Sequence, residues 1–149
     1  MKEVKGDLWD FHKQGHWICI TTNATIRKDG CLVMGRGCAL EAALKWPYLS
    51  RHLGDFIKGY GNFPILLGEE RIITFPVKHT WWEKAFIGLI SQSAERVKKL
   101  VQAVPRVTKL YIPRPGCGNG KLEWSTVKPV LEKIFTDDRF IIVSFPGED

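Results

Sequence analysis

An α/β fold with a mostly parallel sheet covered on both faces is predicted by three observations in this 149-residue sequence. Short runs rich in Ile, Val, Phe, Tyr or Thr end near Gly, Pro or Asn, as buried strands do. Longer segments with helical periodicity lie between them, and strands that alternate with helices build parallel sheets with helices on each side. The composition, 44% hydrophobic and 26% charged, is that of an ordinary globular chain and excludes disordered, collagen-like and coiled-coil readings. A chain of this length can bury a sizeable core without staples, so one domain spanning residues 1–149 is expected.

Strands are predicted at residues 17–22, 71–76, 109–113 and 140–145, and helices at 37–45, 84–103 and 124–136. In the longest helix Phe86, Leu89, Ile90, Ala94, Val97, Leu100 and Val101 recur at steps of three and four, leaving Lys98 and Lys99 elsewhere on the wheel. Pro129 lies inside the last helix, where a first-turn placement or a kink is expected. The stretch 54–68, with four glycines and a proline, reads as a loop leading into the strand at Arg71. No repeat, low-complexity tract or linker interrupts the chain.

Cys19, Cys31, Cys38 and Cys117 show no CxxC or histidine–cysteine spacing of a zinc site and read as reduced thiols. Charged residues directly follow Met1, and no apolar run approaches the roughly 18 residues of a membrane span, so a cytoplasmic protein with no membrane partner is expected. A formal net charge of +6 favours an anionic partner: a nucleotide, a nucleic acid, or none beyond solvent.

The most informative segment runs from Leu110 through Gly116-Cys117-Gly118-Asn119-Gly120 to Trp124, an apolar strand entering closely spaced glycines and then a helix. Such a turn exposes backbone N–H groups beside a helix N-terminus and lets a phosphate approach closely. An ordinary strand-to-helix loop is the alternative. The spacing matches neither the GxGxxG fingerprint nor a Walker loop. A second loop, Met34-Gly35-Arg36-Gly37, precedes a helix in the same way, and two such loops can clamp a diphosphate. In open α/β sheets both would lie beyond the carboxyl ends of strands, where ligands bind.

Gly6-Asp7-Leu8-Trp9, Asn23, Met34-Gly35-Arg36-Gly37-Cys38-Ala39-Leu40 and the Gly116–Trp124 segment, taken in order, resemble a macrodomain, the ADP-ribose-binding family. Phe75-Pro76-Val77-Lys78-His79 and Gly116 to Trp124 are most similar to the macrodomain antitoxins that remove ADP-ribose from thymidine in DNA, and more distantly to the human terminal ADP-ribose glycohydrolase. The resemblance implies a three-layer α/β/α sandwich with a mixed sheet and an ADP-ribose cleft.

It further implies that Asp7, with Leu8, meets adenine, since a carboxylate accepts from an amino group; a helix cap is the alternative. Asn23 would bind the distal ribose hydroxyls or close a strand-end turn. Met34, Gly35, Arg36 and Gly37 would hold the diphosphate with Gly116, Cys117, Gly118, Asn119 and Gly120. Phe145 would stack on adenine or fill the core.

Lys78 matches the catalytic lysine of the DNA-deribosylating antitoxins; a lysine beside ribose stabilises negative charge, or attacks as an amine when its pKa is lowered. The human enzyme's loop aspartate corresponds to Gly120, and its lysine to Phe75, so a lysine–aspartate adduct mechanism is not implied. His79 and Glu83 are candidates for proton transfer or plain surface residues. Trp81 and Trp82 read either as a base-stacking pair, worth roughly 1–3 kcal/mol per base, or as one core ring and one rim ring.

The expected activity is hydrolysis of an ADP-ribosyl glycosidic link, first on thymidine in DNA, by a monomer needing no metal or cofactor. The alternatives are a non-catalytic ADP-ribose reader, a phosphatase acting on ADP-ribose-1″-phosphate, and a plain nucleic-acid-binding module.

Overall fold

The computed structural model describes residues 1–148. The elements in chain order are β1 (Lys2–Lys5), α1 (Leu8–Lys13), β2 (Trp17–Thr22), α2 (Gly37–Lys45), α3 (Leu49–Tyr60), β3 (Leu66–Leu67), β4 (Ile72–Pro76), α4 (Ile87–Ala103), β5 (Leu110–Pro113), α5 (Trp124–Ile134) and β6 (Phe140–Ser144). The strands form one six-stranded sheet in the order β1-β6-β5-β2-β4-β3. Only the short β3 runs antiparallel, against β4; the other pairs are parallel.

Central strands are buried on both faces because their side chains alternate between two cores. Trp17 and Cys19 of β2, Ile73 and Phe75 of β4, Leu110 and Ile112 of β5, and Phe140 and Ile142 of β6 join one core with Ile90, Ala94, Val97, Val127 and Leu131 of α4 and α5. Ile18, Ile20, Ile72, Tyr111, Ile141 and Val143 point the other way, against Leu8, Ala39, Ala42, Leu49 and Leu53 of α1, α2 and α3. The result is a three-layer α/β/α sandwich with a mixed, mostly parallel sheet, as the sequence predicts.

Boundaries differ where tertiary contacts override local signals. The stretch read as a loop from residue 54 is helical through Tyr60, and the helix ends on Gly61, whose φ of 97° suits only glycine. Gly54 sits inside α3 because a Cβ there would lie 2.1 Å from the carbonyl oxygen of Gly30; the glycine serves a close approach and not flexibility. The helix expected from Lys84 starts at Ile87. Before it, the Ala85 N–H donates to Gly120 O (2.9 Å) and the Phe86 N–H to Val77 O (2.9 Å), so these amides tie loops together. Pro129 lies beyond the first turn of α5, which continues through it. Its face is exposed, so the carbonyl it leaves unpaired one turn earlier is open to water.

β1, α1 and β3 carry too little periodicity to be read from sequence. β1 has one apolar residue among Lys2, Glu3 and Lys5, a charged pattern that protects a sheet edge. Among the described residues no helix is long and apolar enough to cross a membrane.

Candidate functional site

Parallel strands bring their carboxyl ends to one side of the sheet, and there the connecting loops open a cleft of about 530 Å³. Its walls are the end of β2 (Thr21, Thr22, Asn23), the segment Val33–Ala39 with Glu41, Val77, Lys78 and Trp81 after β4, Pro113 and Arg114, most of the Gly116–Gly120 loop, and Phe145 with Glu148 after β6.

Two anion cradles face each other across it. The amides of Gly118, Asn119 and Gly120 donate to no backbone carbonyl among the described residues, because the loop's turn is closed by other groups: Leu122 N–H to Gly116 O (2.9 Å) and Lys121 N–H to Gly118 O (3.1 Å). Opposite, α2 begins at Gly37 with no side-chain cap at Arg36, which leaves its first amides free and its dipole pointing at the cleft. A Cβ on Gly37 would lie 3.3 Å from Asn119 Nδ2, so the two loops nearly touch. Gly35 and Gly118 have open space where a side chain would be. Gly116 and Gly120 do not: Gly116 takes φ 78° against Ile90, and a Cβ on Gly120 would stand 2.5 Å from Gly116 O and 2.7 Å from Ala85 Cβ.

Lys78 follows β4 and borders the cleft between these cradles. Its Nζ donates weakly to the carbonyls of Asn119 (3.3 Å) and Trp81 (3.4 Å). Among the described residues no carboxylate pairs with it. Partial burial, then the positive charges of Arg36 and Lys121, hold its pKa below the ordinary lysine value. Asn62, in the turn after α3, donates from Nδ2 to the Lys78 carbonyl (3.0 Å) and so fixes the strand end from behind.

Asn23 lines the cleft but also folds it: its Nδ2 donates to Val33 O (3.0 Å) and its Oδ1 accepts from Thr25 N–H (2.8 Å). One N–H and one lone pair remain. Cys117 is absent from the lining; it packs against the α4–α5 core, and burial pushes its thiol up to about 11. Cys38 lines the cleft, and burial raises its thiol as well. Both are therefore protonated near neutral pH and poor nucleophiles.

Asp7 and Leu8 also lie outside the lining. Asp7 caps α1, its Oδ1 accepting from Trp9 N–H at 2.8 Å, and Leu8 is fully buried. They flank the cleft's far end, because β1 pairs with β6 and the Gly6 N–H donates to Ser144 O (2.9 Å), just before Phe145. Phe145 is 40% exposed, a ring presented to the cleft and not filling the core. His79 is exposed and Glu83 is engaged with Thr80, accepting from its amide at 3.1 Å; neither lines the cleft.

Sequence reasoning passed over Thr21, Thr22, Val77, Arg114, Glu41, Glu148 and Asn62. Arg114 stands between the two prolines that lead into the glycine loop, and its Nε is buried without a partner among the described residues. That Pro-Arg-Pro phrase was the one local signal available; the others are recognisable only from their position around the cleft.

No protein-family model matches the chain, and no curated protein matches it in sequence. Solved structures do match. The macrodomain of Mycobacterium tuberculosis DarG superposes with a TM-score of 0.78 at 21% identity, covering 95% of each chain. The macrodomain of Thermus aquaticus DarG gives 0.73 at 23% identity, covering 97% of each. Thermosipho africanus DarTG in complex with ADP-ribose gives 0.74 at 20% identity; it covers 97% of this chain, which spans only 42% of that longer one. The six-stranded mixed sheet, its two helical layers and these superpositions together show that this chain has the macrodomain fold.

Proposed function

We propose that the cleft binds ADP-ribose and that the protein hydrolyses an ADP-ribosyl glycosidic link, with thymidine in DNA as the first candidate acceptor. The observation that carries this reading is Lys78: an ammonium with no acidic partner among the described residues and a lowered pKa, set between two loops whose free amides suit a diphosphate. The free amides of the two loops would hold the diphosphate, Asn23 would offer its remaining donor and acceptor to the distal ribose, and Phe145 would stack on adenine. Lys78 would then stand at the anomeric carbon. Cleavage of the glycosidic bond sends its electron pair to the base and leaves positive charge on the sugar, which water quenches. A cation at Lys78 favours the departing negative charge; its neutral form can instead attack the carbon as the bond to the base breaks, with water then cleaving the amine–sugar bond to release ADP-ribose. The ADP-ribose complex of Thermosipho africanus DarTG supports the choice of ligand.

The test is incubation with ADP-ribosylated single-stranded DNA. Release of ADP-ribose by the wild type, falling at least about 100-fold in Lys78→Ala, supports the reading. No release by the wild type sinks it, and full activity in Lys78→Ala removes the mechanism alone.

One observation favours a second reading, a non-catalytic reader of ADP-ribose. Gly120 cannot carry a side chain without moving Gly116 or Ala85, so the loop cannot supply a carboxylate at that point. Tight calorimetric binding of ADP-ribose together with inert substrates would select it.

A further inference from the structure

The loop from β4 to α4 places four aromatic side chains, His79, Trp81, Trp82 and Phe86, within eight residues. Trp82 is 69% exposed, Phe86 57% and Trp81 51%, whereas the other four tryptophans are buried or half-buried. A cluster of large apolar rings left in water marks an interaction surface, because burying them is the strongest favourable term such a surface has.

Their exposure is not the result of a loose loop. The Trp81 N–H donates to Thr25 Oγ1 (3.0 Å), and Glu83 caps Thr80. The Ala24 N–H donates to His79 O (3.1 Å), and Ala85 and Phe86 are anchored to Gly120 and Val77. The rings are thus held out on a fixed frame, at the edge of the cleft that Trp81 helps to line.

Lys84 lies in the same loop, Lys78 donates to the Trp81 carbonyl, Arg36 lines the cleft with Trp81, and Lys121 follows Gly120, which accepts from Ala85 N–H; none of the four is ion-paired among the described residues. The loop's one carboxylate, Glu83, is already engaged by Thr80.

We propose that this aromatic rim docks single-stranded nucleic acid, with bases stacked on Trp82 and Trp81 and phosphates running past Lys84 and Lys121. Flat rings interleaved with cations are the chemistry of sequence-tolerant strand binding. A duplex keeps its base faces covered by their neighbours, and an acidic peptide would satisfy the cations but leave the indole faces without flat partners. The placement deepens the proposed function and rests on it in one respect: a strand on the rim would deliver a modified nucleotide to Lys78.

The experiment measures binding of a fluorescently labelled, unmodified single-stranded oligothymidylate by anisotropy, beside calorimetry with ADP-ribose. Trp82→Ala should weaken oligonucleotide binding between about fivefold and 150-fold, the worth of one base stack. Its thermal midpoint and its ADP-ribose affinity should stay those of the wild type. Lys84→Ala should lower the slope of log affinity against log salt by about 0.7, the contribution of one phosphate contact on a single strand. Unchanged oligonucleotide affinity in Trp82→Ala, equal binding of the duplex form, or wild-type binding of an ADP-ribosylated peptide but not of the strand would each overturn the proposal. Strand binding without ADP-ribose binding would instead overturn the reading of the cleft and leave the rim standing.

Discussion

A Cβ built on Gly118 would meet no atom within 4 Å, whereas one on Gly120 would stand 2.5 Å from a backbone oxygen. The two glycines are therefore needed for different reasons, one for ligand space and one for the fold. Gly118→Val should leave stability within about 0.5 kcal/mol of wild type and weaken ADP-ribose binding at least about tenfold. Gly120→Ala should lose about 1–3 kcal/mol in urea unfolding, the usual cost of overpacking a tight site. Equal effects of both changes on both measurements would contradict this division.

Lys78 carries a prediction of its own at this scale. Burial and the nearby charges of Arg36 and Lys121 lower its pKa below 10.5. If its neutral amine attacks the sugar, the rate of ADP-ribose release at substrate well below saturation, which reports the ligand-free protein, rises with pH through a midpoint below 10.5. Removing a positive neighbour stabilises the ammonium, so Arg36→Ala should move that limb to higher pH. A profile that Arg36→Ala does not move would show that the limb belongs to another group.

At the scale of the element, the helices divide by what their ends are for. α1 closes its N-terminus with Asp7, and α3 closes its C-terminus on Gly61. α2, α3, α4 and α5 all begin without side-chain caps, and of these α2 and α5 each follow a glycine loop that borders the cleft. The uncapped start of α2 gives up local stability, since a cap is worth about 0.5–2 kcal/mol, and keeps its amides free for an anion. α5 carries a cost unrelated to the site. Pro129 interrupts its ladder on an exposed face, and its ring restricts the unfolded chain, which offsets part of the loss. Pro129→Ala should therefore raise stability by about 2–2.6 kcal/mol in thermal unfolding, the roughly 3 kcal/mol proline penalty less an offset of about 0.4–1 kcal/mol. A lower melting temperature would show that the proline shapes a contact α5 needs.

At the scale of the whole molecule, a hydrogen-bonded cluster away from the cleft locks the helical layer to the β3–β4 turn. His12 Nε2 donates to Glu70 O (2.7 Å), Arg71 donates to His12 O (3.0 Å), and the Tyr48 hydroxyl donates to the Glu70 carboxylate. Burial, with help from Arg71 and Lys45, lowers the His12 pKa below 6.5, against a raising effect of its bond to Glu70. The unfolded chain then takes up the proton first. Stability from this group is complete above pH 6.5 and declines as the pH falls below it, because protonation is linked to unfolding. Urea midpoints should fall between pH 7.5 and 5.5 in the wild type and fall less in His12→Gln, about in proportion to the proton uptake removed.

What the sequence by itself determined is the set of features encoded within a few neighbouring residues. The four central strands, α2 and most of α4 and α5 follow from periodicity, and both glycine loops follow from spacing, since backbone freedom and amide exposure are local properties. Lys78 was singled out through a family phrase and not through its chemistry. Only the tertiary structure decided that its ammonium meets Asn119 across 41 positions of chain, that Gly54 is a packing residue inside a helix, that Cys117 faces the core, and that Asp7 caps α1 at the cleft's far end. Those outcomes depend on which strands lie side by side and how closely their loops approach. A parallel sheet sets both through contacts between distant parts of the chain, which no local pattern of residues records.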